Sequence, residues 1–107
     1  MIKINNEQLE FKATNESGQL MNMKLSYKSL ALEVIRSIPQ GQAGFSVDEY
    51  NSRVKTLESI EASEDVIELE DDHYKLLLRS LKTWTPRILA PEINQFIKDV
   101  KKAELEE

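Results

Sequence analysis

Apolar and polar residues alternate through the first 26 positions of the chain. Ile2 and Ile4 flank Lys3, while Leu9, Phe11 and Ala13 are separated by Glu10 and Lys12. After a turn-rich stretch, Thr14-Asn15-Glu16-Ser17-Gly18, the alternation resumes at Met21, Met23, Leu25 and Tyr27. A period of two places the apolar side chains on one face of a half-buried strand. Asn5-Asn6 and Ser17-Gly18 tolerate the backbone of tight turns, so a meander of two or three short strands is predicted.

From Tyr27 the period lengthens. Tyr27, Leu30, Ala31, Val34, Ile35 and Ile38 form one wide apolar stripe on a helix. Ser26 supplies its N-cap oxygen, and Pro39 ends it by disfavouring the α conformation at Ile38 and donating no hydrogen bond. Gln40 to Gly44 make a loop. Ser46-Val47-Asp48-Glu49 reads as a capping box, with Phe45 and Tyr50 placed for the accompanying hydrophobic staple. The helix it opens runs to about Ser59–Ala62, and its apolar seam is Val47, Tyr50, Val54 and Leu57. Val66 to Glu70 is short and rich in β-branched residues, a strand that joins the N-terminal ones. A third helix, capped by Asp71 or Asp72, carries Tyr74, Leu77, Leu78, Leu81 and Trp84 on one stripe, and Thr85-Pro86 breaks it. Pro91 suits the first position of a last helix, whose stripe is Ile93, Phe96, Ile97 and Val100. The expected fold class is α+β: a small, mainly antiparallel sheet of the N-terminal strands plus the strand near 66–70, covered by about four helices. Residues 1–103 make a single domain, and the acidic tail 104–107 is expected to fray.

Composition acts mainly by exclusion. The 107 residues include no Cys, so a disulfide scaffold, a thiol enzyme and a zinc–thiolate domain are ruled out. No run approaches the roughly 18–20 apolar residues that span a bilayer. The opening MIKINNEQLEF lacks the pattern of a secretory signal, and a cytoplasmic location is expected. With 14 Lys+Arg against 19 Asp+Glu the net charge is −5, which argues against a protein that coats nucleic acid.

That total hides an asymmetry. Residues 58–72 carry eight acids and no base, while residues 73–103 carry seven bases against Glu92 and Asp99. One reading is local: acids collect at the N-terminus of the third helix and bases at helix C-termini, where the dipoles favour them. The other is a surface that steers a protein partner, built from Glu64, Asp65, Glu68 and Glu70 and from Lys75, Arg79, Lys82, Arg87, Lys98, Lys101 and Lys102. Two copies pairing these blocks would make a homodimer.

Candidate chemistry is sparse. Glu70-Asp71-Asp72-His73 is the one cluster with metal or acid–base residue types, and His73 is the sole histidine. Neighbouring residues at a strand-to-helix junction diverge, so no metal, cofactor or catalytic site is expected. Gly41-Gln42-Ala43-Gly44 has no following Lys-Ser/Thr and is not a phosphate-binding P-loop. Lys75, Arg79 and Lys82 share a helix face near Trp84, but Trp84 continues a core stripe and nucleic acid is not the expected partner. The alternative is a nucleic-acid-binding transcriptional regulator with a winged-helix-like core, since a helix-loop-helix from Ser26 to Ala62 precedes a strand. Its second helix would offer only Arg53 and Lys55 as bases.

The order and spacing of elements carry a resemblance. Strands flank a Gly-containing turn from Phe11 to Gln19, and a short apolar helix contains Leu30-Ala31-Leu32. An acid-rich helix start at Val47-Asp48-Glu49-Tyr50 leads to Ile60. Then Ile67-Glu68-Leu69-Glu70-Asp71-Asp72 runs into Tyr74 and Leu77-Leu78. Over roughly residues 9–100 this resembles small uncharacterised proteins encoded in tailed-phage and prophage genomes. The resemblance implies a phage origin and a non-enzymatic role in assembly or host interaction, and assigns no functional residues.

Overall fold

The computed structural model of the chain describes residues 1–14, 16–39, 41–86 and 90–103. The elements follow in the order β1 (Ile2–Asn5), β2 (Gln8–Thr14), β3 (Leu20–Ser26), α1 (Tyr27–Arg36), α2 (Val47–Glu61), β4 (Val66–Leu69), α3 (Asp71–Thr83) and α4 (Glu92–Lys102). This is an α+β fold. The expected tail at 104–107 and the loop residue Gln40 lie outside the described residues.

The strands form two antiparallel pairs rather than one meander. β2 and β3 are a hairpin, in register from Gln8↔Ser26 to Thr14↔Leu20. Gly18 in its turn has φ +82°, a left-handed backbone that a Cβ would strain. Asn5-Asn6 is not a hairpin turn: β1 turns away from β2 and pairs with β4, Ile2 opposite Leu69 and Asn5 opposite Val66. Asn6 explains the departure. Its backbone N–H donates to the Asp65 carbonyl, its side-chain amide donates to the Glu64 carbonyl, and its Oδ1 accepts from the Lys28 N–H. Three bonds from one residue thus tie the end of β1 to the α2–β4 connection and to the first turn of α1.

One core joins the layers. Ile2, Ile4, Ile67 and Leu69 face inward from the β1–β4 pair, and Phe11 enters from the hairpin. Leu30, Val34 and Ile35 of α1 and Leu77 and Leu81 of α3 meet them. Trp84 follows α3 and is buried edge-on to Phe96, with ring centroids 6.3 Å apart. Phe96 also meets Tyr27 edge-on at 5.2 Å. Two tyrosine hydroxyls then pin α4: Tyr27 donates to Asp99 Oδ2, and Tyr74 donates to the Val100 carbonyl. Burial, and after it the hydrogen bond and charge of Asp99, raise the Tyr27 phenol well above its ordinary value.

Helix ends differ from expectation in small ways. Ser26 caps α1 by accepting from the Ser29 N–H, as the pattern predicts. The helix stops at Arg36, however, and Ile38 lies beyond it, 51% exposed. Glu70, not Asp71 or Asp72, is the N-cap residue of α3, and both aspartates occupy its first turn at the positive end of the dipole. Pro91, expected at the first helical position, instead occupies the N-cap position of α4 and makes no side-chain capping bond.

The larger correction concerns α2. Of the apolar seam Val47, Tyr50, Val54 and Leu57, Leu57 packs half-buried against the core, but the N-terminal part of the seam does not. Val47 and Tyr50 are 75% and 58% exposed, and the buried face is Arg53, Thr56 and Ile60. The rotation is possible because Arg53 enters the interior already paired with Glu49 and the Ile35 carbonyl. Phe45 accordingly packs under the Arg53 guanidinium, 4.7 Å from ring centroid to charge, and Tyr50 stays at the surface.

Candidate functional site

The N-terminus of α2 is built by Ser46, whose hydroxyl accepts from the Glu49 N–H at 3.2 Å. Glu49 does not complete the capping box. Its carboxylate takes Arg53 Nε at 3.1 Å and Nη2 at 3.0 Å, one turn along, and Arg79 Nη2 at 3.1 Å from α3. Arg53 Nη1 donates to the Ile35 carbonyl at 2.8 Å. Burial by itself raises the Glu49 carboxyl, but the Arg79 and Arg53 guanidiniums outweigh it and hold the group below the usual carboxylate range. The lock fastens the end of α1, the start of α2 and the middle of α3 with one shared anion.

Beyond it α2 and α3 diverge into a groove of about 920 Å³. Lys55, Glu58 and Ser59 line one wall; Glu70, Asp72, His73, Lys75 and Arg79 line the other. Ser59 Oγ and His73 Nδ1 are 3.3 Å apart. Among the described residues no carboxylate bonds the imidazole, so the pair lacks the orienting third member of an acyl-transfer triad. Nor, among those residues, do three or more His, Asp or Glu side chains converge as metal ligands would.

The structure disperses the charged residues that the sequence groups. Glu70, Lys75 and Arg79 share the α2–α3 groove. Glu64 and Glu68 line a separate cleft with Met1 and Val66, and Asp65 is exposed in the turn before β4. Lys82 continues the exposed face of α3 one turn further. Lys98, Lys101 and Lys102 are exposed on α4, and Lys102 borders a small cleft with Lys3, Glu7 and Asp99. Arg87 lies outside the described residues. Trp84 is buried and offers no stacking platform to the α3 bases.

Two features escaped sequence reasoning: the Glu49–Arg53–Arg79 lock and the exposed seam of α2. The signal for the first was the i, i+4 spacing of Glu49 and Arg53. The signal for the second was a competing stripe, Arg53, Thr56 and Ile60, which has helical spacing but little hydrophobicity.

No protein family matches the chain, and neither a curated protein nor a solved structure matches it. Among the described residues no helix is long and apolar enough to cross a membrane.

Proposed function

We propose that this chain is a small non-enzymatic interaction protein of phage or prophage type, a cytoplasmic assembly or host-interaction accessory factor that works through a protein partner. The observation that carries the reading is the exposed seam of α2. Val47 and Tyr50 stand 75% and 58% exposed at i, i+3 spacing, and half-buried Val54 continues the line. Such a row on a stable helix is a helix-docking surface, and exposed tyrosine is a residue type enriched in interface hot spots. Lys55, Glu58, Lys75 and Arg79 along the α2–α3 groove add a second, mixed-charge surface that sets orientation and discourages wrong partners.

A photo-cross-linking amino acid in place of Tyr50 tests this in the host cell. The expected result is one discrete adduct, whose purified protein binds the wild-type chain and binds Tyr50→Asp and Val47→Asp at least about tenfold more weakly. Lys24→Glu, on the hairpin, leaves that affinity unchanged. Equal binding by all variants removes the reading. Salt-sensitive retardation of duplex DNA, lost on Lys75→Glu with Lys82→Glu, would instead support the nucleic-acid regulator.

A further inference from the structure

The β2–β3 hairpin is a two-stranded sheet, and among the described residues no strand pairs with either of its outer edges. A hairpin alone is marginal in water, and an open edge is a template for another strand. One face is already used: Phe11 is buried, and Leu9, Met23 and Leu25 pack against the core. The other face is polar and exposed, with Glu10 and Lys24 opposite one another and 3.5 Å apart. What remains unsatisfied is the edge.

β2 is symmetric in charge about its middle residue. Phe11 is the centre of Gln8–Thr14, with Glu10 on one side and Lys12 on the other. Antiparallel pairing of two β2 strands about a twofold axis at Phe11 sets Glu10 opposite the second copy's Lys12, and Lys12 opposite the second copy's Glu10. Each Glu10 then lies in a row between its own Lys24 and the other chain's Lys12, an alternation of signs across the sheet. Lys12 has no carboxylate partner of its own among the described residues. The β3 edge offers no such match: self-pairing about Met23 sets Lys24 against Asn22. We infer that a second copy of this chain docks on the β2 edge, joining the two hairpins into one four-stranded antiparallel sheet.

The self-complementary charges permit a test that separates this interface from misfolding. Wild-type protein should show a concentration-dependent monomer–dimer equilibrium in sedimentation velocity. Lys12→Glu and Glu10→Lys each turn two symmetry-related attractions into two repulsions, and each should raise the dimer dissociation constant by about tenfold. Mixed together, the two variants regain opposite charges at both positions, and a heterodimer of near wild-type affinity should form. Circular dichroism of each variant should match the wild type. A strictly monomeric wild type overturns the inference, as does a dimer that neither reversal weakens or a mixture that stays monomeric.

Discussion

Arg53 shows how a charge can be kept in a small interior. Its side chain is 5% exposed, a position where an unpaired ion costs several kcal/mol. Glu49, the Ile35 carbonyl and the Phe45 ring together replace the lost water. Glu49→Gln keeps the size but removes the anion, and should destabilise the fold by about 3 kcal/mol in urea titration. The pH dependence follows in sign. The folded Glu49 carboxyl sits below its ordinary value of 4.5, so its stabilisation is complete above that pH and is lost as pH falls through the folded value. The melting-temperature gap between wild type and Glu49→Gln should therefore narrow in acid below pH 4.5 and hold constant near neutrality. Ser80 presents the opposite case. It is 5% exposed and its Oγ has no hydrogen-bond partner among the described residues, so Ser80→Ala removes a buried hydroxyl and improves helix propensity. The expected gain is about 0.5–1 kcal/mol. Capping at Ser26 and Ser46 was legible in the sequence because a cap is decided within four residues. The Glu49 lock was not, because Arg79 arrives from 30 residues away.

At the level of elements, five of the eight show where hydropathy patterning succeeds. On β1, β4, α1, α3 and α4 the buried face follows the greasiest stripe, although Leu76 and Ser80 of α3 are buried outside the marked stripe and Ile38, marked for α1, is exposed. α2 has two stripes, and the greasier one is the less buried, with Leu57 alone of its members packed against the core. Counting apolar residues favours Val47, Tyr50, Val54 and Leu57, but the core accepts Thr56 and Ile60 together with an arginine that brings its own counter-ion. Mutation can establish which face is inside. Ile60 is fully buried, and Ile60→Ala should cost about 2–4 kcal/mol through lost burial and a residual cavity. Val47→Asp and Tyr50→Ser should each stay within about 0.5 kcal/mol of wild type, the range of surface changes. If the predicted seam faced the core, those costs would be reversed.

At the scale of the whole molecule, the two strand pairs hold unequal places. β1 and β4 are 61 or more residues apart in the chain, flank the core with four buried apolar side chains, and are bolted by Asn6 to the α2–β4 connection. Opening that pair exposes Ile2, Ile4, Ile67 and Leu69 together, so its amides can exchange only when most of the core comes apart. The sequence marked both strands, but nothing local to β1 could show that its mate was β4 rather than β2. The hairpin is held to the rest mainly through Phe11 and the residues near its base, while Leu20 at its far end is 73% exposed. Native-state hydrogen exchange should thus separate the sheets: amides of β1 and β4 exchange at a free energy near that of global unfolding, and amides of β2 and β3 near the Thr14–Leu20 end open far more easily. Raising protein concentration gives this difference a second use. Pairing across the β2 edge buries the outward N–H groups of β2 and leaves the outward groups of β3 in water, so protection should rise along β2 alone. A uniform rise along both strands would point to general stiffening of the hairpin, and no rise would leave its edges open to solvent.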